Sequence, residues 1–282
     1  MRPTDLHCHS ARSDGALTPA ALAAYAAGQG VSVLALTDHD TVAGYAEAAA
    51  AAQALPIDVL PGVELSAAYD GELHILGYGI DPCSPALVDF LARQRAARRE
   101  RNVDMCDALR RMGLPMPQPE QMGEEFGRTH MARLLVQGGF ADTVSEAFHR
   151  YLFPGCPGYV PRIRPDRAAC IDAIRAAGGW AVLAHPGQIA GVDRAGLAAL
   201  VDGMAGQGLS GLEVFYPGQD ADFRDFLLQQ CRARRLVPTL GSDYHGPDRP
   251  GNALLCTYQP ALIPQETWDF VATCLTRHHE GG

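Results

Sequence analysis

Short apolar runs rich in β-branched residues alternate along the chain with longer stretches of helical periodicity. The runs predict strands over residues 2–9, 31–36, 57–63, 73–79, 180–184, 209–215 and 236–240. Thr18-Pro19 is typical of a helix start, with Thr18 as the N-cap. We expect the fourth strand to pair antiparallel with the third. Seven strands that alternate with helices predict an α/β fold, either a parallel barrel or a strongly curled sheet.

The alternation is interrupted after the fourth strand. A long arginine-rich helix is predicted over residues 84–112, and more helical sequence continues to Arg150 without a strand pattern. We therefore predict a barrel domain made of residues 1–90 and 159–282, with a helical insertion at residues 91–158.

Composition excludes several classes of protein. No apolar run in the 282 residues reaches the roughly 18 residues that span a membrane, and Met1–Asp5 does not begin an apolar signal-peptide core. We therefore expect a cytoplasmic protein without a membrane partner. The 8 cysteines include no Cys-x-x-Cys pair, which excludes a zinc ribbon and a redox dithiol. All 23 basic residues are arginine, so a Schiff-base lysine and a phosphate-loop lysine are excluded.

The charge of the chain limits its partners. A formal net charge of -9 argues against a general nucleic-acid surface, so we expect no stable nucleic-acid complex. Residues 93–111 are the exception, because seven arginines accompany three acids there. We expect this local positive patch to meet an anionic substrate.

Histidines and acids gather at or beside the ends of the predicted strands. His7 and His9 share one face of the first strand by alternation, and Asp14 follows in a loop. Each such residue alone could cap a turn, but together they indicate a metal site. The nine candidate ligands are His7, His9, Asp14, His39, Glu64, His74, His185, Asp243 and His245. Nine nitrogen and oxygen donors indicate two or three ions, and without a thiolate they suit Mn, Fe or Zn.

The motifs that carry these residues resemble those of one family. In chain order they are His-x-His followed by Ser-Asp-Gly, Leu-Thr-Asp-His-Asp, Pro-Gly-Val-Glu-Leu-Ser, His-Ile-Leu-Gly-Tyr, Ala-His-Pro-Gly and Gly-Ser-Asp-Tyr-His-Gly. This series is similar to the signature of the PHP family, the polymerase and histidinol phosphatase phosphoesterases. The resemblance implies a distorted seven-stranded (β/α) TIM-like barrel and a trinuclear metal centre, with Mn favoured over Fe or Zn.

The resemblance also implies how the ligands are shared. The first ion would be held by His7, His9, Glu64 and Asp243. The second would be held by Glu64, His74 and His185. The third would be held by Asp14, His39 and His245. The residues expected to act in catalysis are Asp14, His39, Glu64 and His245. Asp38 and Asp40 would support the metal ligands or cap neighbouring segments. The resemblance gives Glu213 no ligand position, so we expect it to have a supporting or structural role.

The insertion resembles one branch of the family. Residues 127–133, Gly-Arg-Thr-His-Met-Ala-Arg, are similar to a run in the nucleoside-3',5'-bisphosphate phosphatase and 5'-to-3' exoribonuclease branch, with Thr129 in place of the usual proline. We therefore expect the insertion to cap the site and bind substrate. The expected substrate-binding residues are Arg99, Asn102, His130 and Arg133.

The resulting hypothesis is a phosphatase that removes the 3'-phosphate of adenosine 3',5'-bisphosphate, giving AMP and phosphate by attack of a metal-activated hydroxide. Three alternatives stay open. One is a 5'-to-3' exonuclease on short RNA, and another is a histidinol phosphate phosphatase, which the arginine-rich insertion disfavours. The third is a metal-bound module without activity.

Overall fold

Seven strands form one sheet in which each strand lies beside the next one along the chain. The computed structural model of the protein describes residues 2–69, 72–123, 126–247, 253–254 and 260–281. The strands are β1 (Thr4–Cys8), β2 (Val33–Leu36), β3 (Asp58–Ala67), β4 (Leu73–Tyr78), β5 (Trp180–Leu183), β6 (Gly211–Phe215) and β7 (Val237–Leu240). All seven predicted strands are therefore present.

Strand direction is parallel except around β4. The pairs β1–β2, β2–β3, β5–β6 and β6–β7 are parallel, whereas β4 pairs antiparallel with both β3 and β5. The predicted antiparallel pairing of the third and fourth strands is confirmed. The two edge strands meet where Cys8 bridges Tyr244, just beyond β7, and the His9 N–H donates to the Tyr244 carbonyl at 2.8 Å. The sheet is thus strongly curled, as the predicted distorted barrel requires.

Nine α-helices lie in the described part of the chain. They are α1 (Pro19–Gly28), α2 (Tyr45–Ala52), α3 (Pro85–Arg111), α4 (Arg128–Gln137), α5 (Val144–Ala147), α6 (Arg167–Ala176), α7 (Arg194–Gly206), α8 (Ala221–Arg234) and α9 (Gln265–Gly281). Thr18 caps α1, as predicted, by accepting a hydrogen bond from the Ala21 N–H. None of the helices that the structure describes is both long enough and apolar enough to cross a lipid bilayer.

Helices pack on the sheet through buried apolar side chains. Leu22 of α1 lies in a cluster with Leu34 of β2, while Ile174 of α6 and Val201 of α7 lie in a second cluster with side chains of β3 to β7. Phe270 of α9 belongs to a third cluster, formed with side chains of β1 to β5. Each such residue contributes about 1.5–3 kcal/mol through burial. This packing holds the strand ends in fixed positions.

The chain divides into two compact units. Unit 1 comprises Met1–Leu91 and Pro165–Gly282, and unit 2 comprises Ala92–Arg164. The first residue of unit 2 lies one position after the predicted start of the insertion, and its last residue lies six positions after the predicted end. Its own buried core includes Met105, Leu109 and Met131.

Candidate metal centre

The candidate centre lies in unit 1, and short segments that follow strands carry most of its residues. His7 lies within β1, His9 follows it, and His39, His185 and Asp243 follow β2, β5 and β7. The carboxyl ends of parallel strands meet at one edge of a sheet, which is why these separate segments converge.

Glu64 occupies a position that differs from the predicted one. The sequence pattern placed Glu64 at the end of the third strand, but β3 continues to Ala67 because residues 62–67 pair with β4. Glu64 therefore lies inside a strand, and its side chain is fully buried. His74 lies near the start of β4 opposite Ser66, so the antiparallel pairing brings it to the same place.

Five imidazoles surround the Glu64 carboxylate. Its Oε2 lies 3.2 Å from His7 Nε2, 3.2 Å from His9 Nε2 and 3.1 Å from His39 Nδ1. Its Oε1 lies 3.0 Å from His74 Nδ1 and 3.1 Å from His185 Nε2. The two oxygens of one carboxylate thus face different sets of ring nitrogens.

Two aspartates complete the cluster. Asp243 Oδ1 lies 3.1 Å from His9 Nε2 and 3.4 Å from His7 Nε2. Asp14 Oδ1 lies 3.1 Å from His245 Nε2, 3.9 Å from His9 Nδ1 and 4.0 Å from His39 Nε2. The Asp14 side chain is 42% exposed, whereas that of Glu64 is 0% exposed, so Asp14 marks the solvent side of the cluster.

The turn that carries Asp14 is fixed by a buried acid. Asp38 Oδ1 accepts hydrogen bonds from the Ser10 N–H and the Ser13 hydroxyl, both at 2.7 Å, and Asp38 Oδ2 accepts from the Ser10 hydroxyl at 2.6 Å. Asp40 accepts from the Ser66 N–H and hydroxyl. Asp38 thus binds the turn after β1 and Asp40 binds β3, and neither belongs to a group of donors that could hold an ion.

The buried polar atoms of the cluster fit metal ions better than they fit one another. Six of them make no hydrogen bond of acceptable geometry within the described residues: His7 Nε2, His9 Nδ1, His9 Nε2, His39 Nδ1, Glu64 Oε2 and His245 Nε2. Buried nitrogen and oxygen atoms without partners are costly. Atoms bound to one ion at about 2.0–2.2 Å stand about 3.0–3.5 Å apart. The distances from the Glu64 and Asp243 oxygens to their neighbouring ring nitrogens, 3.0 to 3.4 Å, lie in that range.

Three groups of donors are each close enough to hold one ion. The first is His7, His9, Glu64 and Asp243. The second is His39, Glu64 and His74. The third is His9, Asp14, His39 and His245. The first group equals a predicted set and the third adds His9 to a predicted set. The second contains His39 where we expected His185, although His185 Nε2 lies only 3.4 Å from His74 Nδ1.

The charges of the cluster shift its pKa values strongly. Burial raises the pKa of Glu64, but the surrounding His39, His7 and His74 outweigh it and hold that pKa well below its usual value. Burial lowers the pKa of His9, yet the nearby carboxylates of Asp243 and Glu64 outweigh this and raise the pKa to about 10. For His39 burial prevails and lowers the pKa to about 3. Without cations the cluster therefore retains protons on some imidazoles at neutral pH.

The four expected substrate-binding residues lie in unit 2. Arg99 donates to the carbonyls of Pro119 and Met122, and buried Asn102 donates to the carbonyl of Phe126 at 2.6 Å. These bonds fasten the segment before α4. His130 Nδ1 accepts from the Gly127 N–H at the start of α4. Arg133 is exposed on the same helix.

Sequence reasoning predicted a positive patch at residues 93–111 but not the arginines from other segments that join it in unit 2. Burial lowers the pKa of Arg101 to about 9, with further lowering by four nearby guanidinium groups: Arg128, Arg162, Arg98 and Arg164. Arg101 Nε is buried and makes no hydrogen bond to the residues that the structure describes. The arginine count of α3 signals the patch, but not which arginines converge from other segments.

Comparison with known proteins agrees with the fold. The model of the PHP domain matches residues 5–189, which is more than half of the chain. The protein therefore belongs to the PHP family and is a metal-dependent phosphoesterase.

Individual relatives cover nearly the full length. A 3',5'-nucleoside bisphosphate phosphatase of Chromobacterium violaceum is 38% identical over 274 residues, 95% of this chain and 96% of the relative. A 5'-3' exoribonuclease of Haemophilus influenzae is 38% identical over 247 residues, 86% of this chain and 90% of the relative. A solved amidohydrolase structure from Chromobacterium violaceum, with bound sulfate and no metal, is 34% identical, covers 96% of both chains and has a TM-score of 0.82.

Proposed function

We propose that the protein removes the 3'-phosphate from nucleoside 3',5'-bisphosphates, converting adenosine 3',5'-bisphosphate to AMP and phosphate. The observation that carries the reaction class is the set of buried imidazole nitrogens around the Glu64 carboxylate that make no hydrogen bond within the described residues. The match to the bisphosphate phosphatase extends over 95% of this chain and supports the choice of substrate.

Two or three divalent ions, with Mn favoured over Fe or Zn, would be held by the nine residues around Glu64. Divalent ions in such a site neutralise charge on phosphoryl oxygens and lower the pKa of bound water to near 7. Glu64 suits the shared position, because its two oxygens face different groups of nitrogens. Because both oxygens belong to one rigid carboxylate, Glu64 would fix the distance between the two donor groups that they serve.

The solvent side of the cluster is where the phosphoryl group would enter. Asp14 is the most exposed of the donors, and His245 Nε2 faces it at 3.1 Å. His39 is also reached by solvent, with 18% of its side chain exposed. We expect these three residues, with Glu64 behind them, to act at the reacting phosphate, which accounts for the four proposed catalytic positions.

Unit 2 would bind the phosphate that is not removed. A guanidinium fork matches phosphate oxygens, and a group of arginines whose mutual repulsion lowers the pKa of Arg101 is stabilised by an added anion. The exposed Arg133 and the half-buried His130 extend this surface on α4. Arg99 and Asn102 would contact the substrate directly, and they would also hold in place the segment before α4.

A second candidate function is 5'-to-3' exonuclease activity on short RNA. It is favoured by the relatives from Haemophilus influenzae, Salmonella typhimurium and Escherichia coli, which bear that name at 36% to 38% identity. An exonuclease would bind the 5'-phosphate of the chain at the same arginines and cleave a phosphodiester at the metal centre.

The test compares substrates on protein reconstituted with Mn²⁺. Phosphate release from adenosine 3',5'-bisphosphate is measured beside histidinol phosphate, and nucleotide release from a 5'-phosphorylated trinucleotide is followed by chromatography. We expect the bisphosphate to give the highest kcat/KM, with AMP as product, and His245→Ala to abolish it. Preference for the trinucleotide with stepwise nucleotide release would establish the exonuclease instead. Bound metal without turnover of any of the three would overturn the proposal.

A further inference from the structure

Glu213 of β6 is a fully buried acid that belongs to none of the three donor groups. Its Oε1 lies 2.9 Å from His7 Nδ1, and its Oε2 accepts a hydrogen bond from the backbone N–H of His185 at 2.7 Å. One carboxylate therefore contacts two different ligand-bearing segments, the end of β1 and the turn after β5.

These two contacts determine that the Nδ1 atom of the His7 ring carries a hydrogen. A backbone N–H can only donate, and a carboxylate can only accept, so both oxygens of Glu213 act as acceptors. His7 Nδ1 must then carry a hydrogen, so in the neutral ring that binds an ion it is Nε2 that offers the lone pair. Nε2 is the atom that lies 3.2 Å from Glu64 Oε2 and 3.4 Å from Asp243 Oδ1.

The surrounding backbone makes room for this contact. A Cβ at Gly241 would lie 2.3 Å from the Cβ of His7 and 2.6 Å from Glu213 Oε1, so a larger residue there would push the two apart. His185 has a φ of +26°, a strained value for a residue with a side chain, and its N–H bond to Glu213 helps to hold it.

We propose that Glu213 is the positioning residue of the metal centre: it sets the tautomer of His7 and fixes the turn that presents His185. The inference rests on the metal centre of the proposed function. A hydrogen bond from the second ring nitrogen to a carboxylate orients a metal-binding histidine and raises its basicity, and loss of such a bond costs about 10- to 100-fold in metal affinity.

Glu213→Gln tests the proposal at nearly constant shape. Glutamine offers one oxygen acceptor and one amide donor, so it cannot accept from both His7 and the His185 N–H. Either the turn loses its bond, or His7 moves its hydrogen to Nε2, the ligand atom. We expect Mn²⁺ affinity, measured by titration calorimetry on metal-free protein, to fall about 10- to 100-fold. Thermal unfolding of the metal-free variant checks that it is folded.

Gln219→Ala is the matched control, because Gln219 braces the same turn without contacting His7. Its Oε1 accepts from the Gly187 N–H at 3.2 Å, and its Nε2 donates to the Val214 carbonyl at 2.7 Å. We expect this variant to keep an Mn²⁺ affinity close to that of the wild type. An equal loss in both variants would assign the effect to the turn and overturn the tautomer proposal.

The tautomer of His7 can also be measured directly in the wild-type protein. Long-range ¹H–¹⁵N spectra of the Zn²⁺-loaded wild type should show His7 with a protonated Nδ1 and a metal-bound Nε2. Binding through Nδ1, or wild-type affinity in Glu213→Gln, would disprove the role of Glu213 while leaving the metal centre intact. Failure of the wild type to bind Mn²⁺ or Zn²⁺ would instead overturn the proposed function and this inference with it.

Discussion

Glu64 shows how much a single buried carboxylate can organise. It lies in the middle of β3 with no exposed surface, and five imidazole nitrogens approach its two oxygens at 3.0 to 3.2 Å. A buried negative charge is costly unless cations meet it. In the metal-free protein protonated imidazoles fulfil that role, and bound divalent ions would replace those protons.

Metal binding should therefore release protons. The pKa of His9 is raised to about 10 because Asp243 and Glu64 outweigh burial, so its ring stays protonated at pH 7. An ion needs the lone pair, and the competing proton is lost more easily as pH rises towards about 10. We expect the Mn²⁺ affinity to rise about tenfold per pH unit for each proton released between about pH 6.5 and 8. Calorimetry in two buffers of different ionisation enthalpy counts the protons, and a pH-independent affinity would contradict this account.

Asp14 provides the simplest test at one position. Its carboxylate is 42% exposed and faces His245 Nε2, so the loss of its charge should weaken one donor group without harming the fold. We expect Asp14→Asn to lower kcat at least about 100-fold while the melting temperature of the metal-free protein stays close to that of wild type. Asp222→Asn, at a side chain 81% exposed, is the control and should retain full activity. Wild-type turnover in Asp14→Asn would remove Asp14 from the catalytic set.

At the scale of elements, α3 and α4 of unit 2 concentrate positive charge. Repulsion among Arg101, Arg128 and their neighbours persists in the protein, because burial of Arg101 does not abolish its charge at neutral pH when its pKa is about 9. Such a group is unfavourable without an anion and favourable with one. This is the physical reason for our proposal that unit 2 binds the second phosphate of a bisphosphate.

Arg101→Met should weaken the binding of a bisphosphate much more than the binding of a substrate with one phosphate. A hydrogen bond to a charged group is worth about 1.5–3 kcal/mol, so we expect KM for adenosine 3',5'-bisphosphate to rise about 10- to 100-fold. An aryl phosphate lacks the second phosphate, and its kinetics should change little. Arg150→Met, which removes a 53% exposed arginine paired with Glu146, is the control. Equal losses on both substrates would contradict the assignment.

The core of unit 2 can be tested by a stability measurement. Leu109 of α3 is fully buried, and the space around Gly158 is so tight that a Cβ there would lie 2.4 Å from Leu109 Cδ2. Leu109→Ala leaves a cavity that the surroundings cannot fill, and we expect the free energy of unfolding of this unit to fall by about 2–5 kcal/mol in urea titrations. Val144→Ala, at a residue 37% exposed, should cost far less. Similar losses in the two variants would disprove the packing argument.

For the molecule as a whole, the periodicity of apolar residues predicts the repeated strands and the residues next to them in the chain. Alternating apolar runs predicted all seven strands, and the positions just after those runs predicted His39, His185 and Asp243. Strand pairing is not local, so the extension of β3 to Ala67, and with it the interior position of Glu64, could not be read from the third run alone.

The full arginine group of unit 2 could not be predicted for a similar reason, although its part on α3 was. It draws Arg101 from α3, Arg128 from α4 and Arg162 from a segment without regular structure, and no spacing rule links them. Arg99 and Asn102 were predicted from their face on α3, but hydrogen bonds to backbone carbonyls became visible only with the chain folded. The roles of both residues towards substrate stay predictions.

Anomalous diffraction at the Mn absorption edge, from crystals grown with excess Mn²⁺, tests most directly that the cluster around Glu64 is a multinuclear metal centre. We predict two or three peaks, each in contact with members of one donor group, and at least one in contact with the Glu64 carboxylate. Crystals with no ion in contact with Glu64 would contradict this account of how the protein acts on phosphate esters.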